Sequence, residues 1–292
     1  MSIEAFTMDG KSTQASHDPA SDSRDAWDQI APGYDRTNTP TQMAIAEKGL
    51  NIAGLASGMK FLDVAAGSGA LAIPAARLGA RVTAIDQSSA MLELLVARAR
   101  REQLNIETQA MDGHALQFAD NTFDVAGSQF GVMLFPDMPK AVREMVRVIK
   151  PGGKVLINAY GDPEEIEFLS FLVTAVQSVR PEFDGPPADP PPLEFQLADP
   201  DRLGRALTAA GLKDVRVETI TETTEHATGK ELWEWLIYSN PIVECILTGM
   251  LNLTDDERRA VQQALGKLVR DRAAGSRVAK LTNPVNIGVG TK

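Results

Sequence analysis

Two carboxylates and two glycines in this chain are spaced for work on a small ligand. The run FLDVAAGSGA, Phe61 to Ala70, puts Asp63 near the end of a short apolar stretch and follows it with Gly67 and Gly69. Glycine lets the backbone turn sharply and approach a ligand closely, because no Cβ intrudes. The next apolar run, ARVTAID, ends in Asp86, 17 residues past Gly69. A carboxylate there can accept two hydrogen bonds from a ribose diol. Glycine loop and strand-end acid together predict a nucleoside site. Which nucleoside stays open, since Gly67-x-Gly69-x-x-Ala72 is also compatible with a dinucleotide fingerprint.

Other chemistries find little support. A single cysteine, Cys245, cannot form an internal disulfide and is a poor start for a metal site. His17, His114 and His226 lie far apart with no ligand spacing, so no metal is expected. The chain has 292 residues, 43% hydrophobic and 23% charged, enough for one large domain with its own core. A net charge of -10 disfavours a nucleic-acid partner and anionic membrane surfaces. No apolar run approaches the roughly 18 residues of a spanning helix. Residues 1–24 are polar and acidic without a secretory pattern, and are expected to form a disordered lead. With one thiol, a reducing cytoplasmic setting is expected.

The elements that must hold these residues alternate in type. Strand-like runs are MKFLDV, ARVTAID, NIETQAM, FDVAGSQF and GKVLINAY. Between them lie helical runs from Ala70 to Leu78, Ser89 to Glu102 and Met138 to Ile149. That alternation predicts an α/β, Rossmann-like, doubly wound and mainly parallel sheet. Ser88-Ser89 suits a helix cap, and Lys150-Pro151-Gly152-Gly153 suits a helix end and turn. Beyond Tyr160 a helical stretch over 162–180 leads into a proline-rich loop, PEFDGPPADPPPLEFQLADP. A capped helix from Asp199 to Ala210, a strand LKDVRVETI, helices across 229–274 and a final strand VNIGVGT complete the pattern. A single domain over 25–292 is expected, with cap insertions at about 162–198 and 221–283.

Taken together, LDVAAGSG, VTAIDQSSAML, AMDGHALQFADNTFDVAGSQFGVMLFPD and VIKPGGKVLI resemble the class I S-adenosylmethionine-dependent methyltransferases. The likeness is greatest to the branch with the ubiquinone/menaquinone-biosynthesis C-methyltransferases (type 11), whose N-terminal segment WDQIAPGYDR also resembles. It covers about residues 25–160 well and 199–220 loosely. The resemblance implies a seven-stranded sheet with an antiparallel last strand, a helical cap, and S-adenosylmethionine as cofactor with S-adenosylhomocysteine as product. It implies Asp63 at the methionine amino end, Gly67 and Gly69 along the cofactor backbone, and Asp86 on the ribose. Gln87 and Met91 would flank the adenine, and Asp112 would accept from its amino group beside Gly113 and His114. Gln129 and Phe130 would adjoin the methionine part and the methyl. Many members carry glycine where Ala65 stands.

Methyl transfer from a sulfonium is an in-line displacement with a neutral leaving group. Alignment and water exclusion can therefore carry it without a general acid. No catalytic residue is nominated, and His114 belongs to the adenine end. Tyr34 is either a lid over the cofactor or a core aromatic. Trp233, Trp235 and Tyr238 read as cap packing. Phe168, Phe171, Leu193, Phe195 and Trp233 are candidate liners of a pocket for an apolar or aromatic small-molecule acceptor, methylated on O, N or C. The helical run TDDERRAVQQALGKLVRDR is amphipathic, compatible with a solvated face or a homodimer contact. Two alternatives stand beside this reading: an NAD(P)-dependent Rossmann oxidoreductase, and a non-catalytic S-adenosylmethionine-binding protein.

Overall fold

A computed structural model describes residues 19–185 and 192–292. Two helices come first, α1 (Pro19–Thr37) and α2 (Thr39–Ala53). The alternating part follows: β1 (Lys60–Val64), α3 (Ala72–Arg77), β2 (Arg81–Asp86), α4 (Ser89–Arg101), β3 (Ile106–Ala110), β4 (Phe123–Gln129), α5 (Met138–Val148) and β5 (Ile149–Tyr160). Next come α6 (Glu167–Gln177), α7 (Pro200–Ala209) and β6 (Lys213–His226). The chain ends with α8 (Gly229–Ser239), α9 (Pro241–Glu244), α10 (Asp255–Ala273) and β7 (Ala279–Thr291).

The strands form one seven-stranded sheet in the order β3-β2-β1-β4-β5-β7-β6. The first five pair in parallel, while β7 runs antiparallel to both β5 and β6. β1 is buried after its first residue and β2 between its two end residues, as expected of strands covered on both faces. The strand order reverses between β1 and β4. A crevice opens at such a switch point, beyond the carboxyl ends of the two strands.

Local chemistry explains the helix starts. Ser88 Oγ accepts from the Met91 N–H and caps α4, as the sequence predicts. Asp199 caps α7, and Thr254 with Glu257 forms a capping box at α10. The Lys150-Pro151-Gly152-Gly153 turn lies where the β4–β5 register shifts, with Gly152 at φ 79°. The main core lies against the sheet. A second core joins α6, α8 and α10 and contains Leu172, Trp233, Trp235 and Leu236.

Two expected boundaries differ from the structure, and a third stretch lies largely outside the described residues. Within the expected disordered lead, residues 1–18 fall outside the described residues, but α1 already begins at Pro19. The PPADPPP stretch falls largely outside them too, at residues 186–191. The second insertion is shorter than 221–283, because β6 runs on to His226 and β7 starts at Ala279. The extra ladder pairs Glu222 with Asn283, Thr224 with Leu281 and His226 with Ala279. Its polar residues Glu222, Thr224 and His226 are all buried.

Candidate functional site

The switch-point crevice is a cavity of about 720 Å³. Of the twelve residues singled out in the sequence, eleven line it: Tyr34, Asp63, Gly67, Asp86, Gln87, Met91, Asp112, Gly113, His114, Gln129 and Phe130. Gly69 does not. A Cβ there would lie 3.0 Å from Leu95 and 3.1 Å from Ile73, so this glycine serves the turn and its packing. Between β1 and α3 the chain takes left-handed φ values at Ala65 (59°), Gly67 (52°) and Gly69 (99°). Ala65 holds a conformation that costs an L-residue about 1–2 kcal/mol and glycine almost nothing.

The acids behave differently from one another. Asp63, next to last in β1, is completely buried; the Ala72 N–H approaches its carboxylate, but neither oxygen makes a hydrogen bond of good geometry. Burial, reinforced by the charge of Asp86, pushes its carboxyl well above the usual range. Asp86 is better supported: Oδ2 accepts from the Gly67 N–H at 2.8 Å and Oδ1 from the Ser88 N–H at 2.9 Å. It thereby ties the glycine loop to the start of α4. Each of its oxygens keeps a lone pair for a further donor. Burial still raises it, against those hydrogen bonds.

Asp112 and His114 form a local pair after β3. Asp112 Oδ1 accepts from the His114 N–H at 2.9 Å and lies 2.8 Å from His114 Nδ1. Against a burial that would raise it, these contacts hold Asp112 below the ordinary carboxylate value. The His114 ring packs on Phe135 at 4.7 Å. Gly113 is confined by the same ring, since a Cβ would come within 2.5 Å of it. The histidine is thus fixed in a wall.

Helix α1 covers the cavity. Asp28 Oδ1 accepts from Ser88 Oγ at 2.5 Å and from the Ala90 N–H at 3.3 Å, and Asp35 pairs with Arg98 at 2.5 Å. Trp27 meets Tyr34 edge-on at 6.0 Å. The Tyr34 hydroxyl donates to Gln42 Oε1 at 3.0 Å, and its ring lies over Gly67. The two readings of Tyr34 therefore merge, because it is both packed and cavity-lining. Asp28 and Gln42 were not evident from the sequence. Their roles depend on how α1 and α2 fold back over the sheet, which no local pattern records.

A second cavity, about 100 Å³, adjoins the first, and Trp27, Tyr34, Phe130 and Leu134 line both. Phe130 stands at the junction with φ 53° and stacks on Tyr160 at 4.4 Å. A bulky residue in the left-handed region needs firm support from its surroundings. Here its N–H donates to the Asn158 carbonyl at 2.8 Å. The preceding Gln129 donates to the Gln42 carbonyl at 3.1 Å and accepts from Asn158 Nδ2 at 2.8 Å. Of the expected acceptor-pocket liners, Phe168 and Phe195 line this cavity. Phe171 and Trp233 belong to the cap core, and Leu193 is exposed. Tyr160 and Glu194 line it as well. Glu194 carried no local signal, because its position follows from the fold of the cap.

Comparison with known proteins agrees with this geometry. The profile of a methyltransferase domain matches residues 62–157. An uncharacterized protein of Mycobacterium tuberculosis is 37% identical over 140 residues, 48% of this chain and 49% of that protein, so the match spans about half of that relative. A demethylmenaquinone methyltransferase of Renibacterium salmoninarum is 32% identical over 200 residues, 65% of this chain and 83% of that protein. Among solved structures, a Haemonchus contortus phosphoethanolamine N-methyltransferase in complex with S-adenosyl-L-methionine superposes with a TM-score of 0.50. It is 19% identical, with 85% of this chain and 52% of that one covered, a likeness of fold alone. No described helix is long and apolar enough to cross a membrane, and the described residues contain no cluster that could hold a metal.

Proposed function

The chain belongs to the class I S-adenosylmethionine-dependent methyltransferases, in the branch with the demethylmenaquinone methyltransferases, and on that premise we propose that it methylates a small-molecule acceptor. The observation that carries the reading is Asp63, a fully buried carboxylate with a weak approach from the Ala72 N–H and no hydrogen bond of good geometry, in the wall of a cavity with a second acid. Leaving such a group unpaired is costly, and a cation relieves the cost. S-adenosylmethionine carries both an ammonium and a sulfonium. A dinucleotide would instead bring its pyrophosphate to the glycine loop beside Asp63, where a buried carboxylate disfavours a second anion. That argues against the oxidoreductase alternative.

When bound, the cofactor supplies an activated methyl group. In this reading Asp63 holds its ammonium, Gly67 lets the loop lie close to it, and Asp86 accepts from the ribose hydroxyls. Met91 and Gln87 flank the adenine, with Asp112, Gly113 and His114 around its polar edge. Gln129 and Phe130 border the methionine part. Tyr34 and α1 exclude water from above, which strengthens every charge contact inside. The acceptor enters from the second cavity, which meets the first at Phe130. That meeting supports turnover over a purely sensing role. Alignment of acceptor and methyl at the junction is the principal catalytic contribution. A net charge of -10 favours a small molecule over a nucleic acid, and a cytoplasmic setting goes with the reading.

Calorimetric titration with S-adenosylmethionine, S-adenosylhomocysteine and NADH tests it. The sulfur ligands are expected to bind, and Asp63→Asn to weaken them by about 1.5–3 kcal/mol, the worth of a hydrogen bond to a charged group. Binding of NADH in their place would overturn the reading.

A further inference from the structure

The second cavity has a chemistry of its own. Leu172, Val176, Phe183, Ile246 and Leu247 give it apolar walls, and Tyr160 and Phe168 add aromatic faces in edge contact at 5.5 Å. No lysine, arginine or histidine lines it among the described residues. One acid does, Glu194, on the 3-10 turn Leu193–Phe195. That turn is pinned by Gln196, whose side-chain amide donates to the carbonyls of Met133 and Phe135. Glu194 Oε1 accepts from Asn240 Nδ2 at 2.7 Å. Burial holds its carboxyl above the ordinary glutamate value, opposed by its hydrogen bonds. Behind the aromatic wall a second acid, Glu222, is 4% exposed with Oε1 unpartnered, and its charge acts on Tyr160.

The cavity is therefore apolar, walled with π faces, and biased towards negative potential. An anionic acceptor would meet only repulsion there. A neutral one would gain from burial alone. A cation gains three ways: it pairs with Glu194, it lies against the aromatic faces, and it relieves the field of two under-compensated acids.

Resting on the first cavity being the cofactor site, we propose that the acceptor is an amine with an apolar or aromatic body, bound as its cation with the ammonium group at Glu194. For transfer the ammonium would pass one proton to the Glu194 carboxylate, and the freed nitrogen lone pair would bond to the methyl carbon as its bond to sulfur breaks, leaving a neutral thioether and an N-methylated cation. Glu194 is the residue that sets specificity, and Asn240 orients its carboxylate. The apolar body lies along the Phe168 and Leu172 wall.

The test is calorimetric binding of three probes of one shape to the full chain saturated with S-adenosylhomocysteine: phenethylamine, phenethyl alcohol and phenylacetate. The amine is expected to bind about 10- to 100-fold more tightly than the alcohol, and the carboxylate more weakly than either. Glu194→Gln keeps a partner for Asn240 and should bring amine and alcohol to within a few-fold. Glu194→Lys should favour phenylacetate. An amine no tighter than the alcohol, binding of none of the probes, or a preference that survives Glu194→Gln would overturn the assignment. The S-adenosylhomocysteine titration on the same samples separates the two readings. If that ligand itself fails to bind wild type, the cofactor assignment falls and this one with it. If it binds and the amine preference is absent, only the acceptor assignment falls.

Discussion

Glu222 offers the sharpest test of the polar interior between β6 and β7. It is 4% exposed, and burial raises its pKa from 4.5 to about 7, opposed by the hydrogen bond from Asn283 Nδ2 at 3.2 Å. The folded chain thus holds this proton more tightly than the unfolded chain. Its contribution to stability is fully present below pH 4.5 and is lost as pH rises to about 7, after which it is constant. At about 1.4 kcal/mol per pH unit, that interval corresponds to about 3 kcal/mol. Glu222→Gln keeps the shape and the Asn283 contact and removes the titration. Its neutral amide resembles the protonated acid, so the two proteins should be nearly equal in stability near pH 4.5. By pH 8 the variant should be more stable by up to about 3 kcal/mol. His226, on the same strand, titrates in the opposite sense, because burial lowers it to about 4. Tyr34 and Tyr160 are pushed up by burial and stay neutral throughout. These groups are common to both proteins, so the difference between variant and wild type isolates Glu222. Urea unfolding from pH 5 to 8 provides the measurement. A difference that stays flat across this range, or a variant less stable at pH 8, would refute the argument.

Ala65→Gly should stabilise the chain by about 1 kcal/mol. It relieves the φ of 59° and returns only part of that gain as unfolded-state entropy, and thermal or urea unfolding will read it. Gly33→Ala should loosen the cover of the cavity, since a Cβ at Gly33 would come within 2.2 Å of the Tyr238 ring where α1 meets α8. A loss of about 1–3 kcal/mol in stability is expected, together with weaker binding of S-adenosylhomocysteine by calorimetry. Asp86→Asn should weaken that binding too. It removes the charge that accepts from Gly67 and Ser88 and would accept from a ribose, and an unchanged dissociation constant would count against the ribose role.

What could be read from the chain itself is what short-range physics writes into it. Alternating apolar runs marked the parallel strands. The glycine loop marked the end of β1, and Ser88 marked the start of α4, each through backbone geometry or a neighbouring hydrogen bond. Eleven of twelve nominated residues line the first cavity, most of them because strand ends and the loops after them in such a sheet meet at one crevice, whereas Tyr34 arrives on α1. The exception, Gly69, shows that a glycine required by a turn need not face the ligand.

The rest was decided by packing between segments far apart in sequence. Glu222, Thr224 and His226 carry no local signal of burial; the β6–β7 ladder and the cap bury them together. The cover depends on Asp28 reaching Ser88 and on Gly33 fitting beneath Tyr238. Glu194 and Tyr160 line one cavity only because the cap folds over the junction at Phe130. A periodic pattern records which face of an element is buried, whereas the partner of that face is set by the free energy of the whole fold. For that reason the lining of the first cavity was legible in the sequence, and the lining of the second appears only in the tertiary structure.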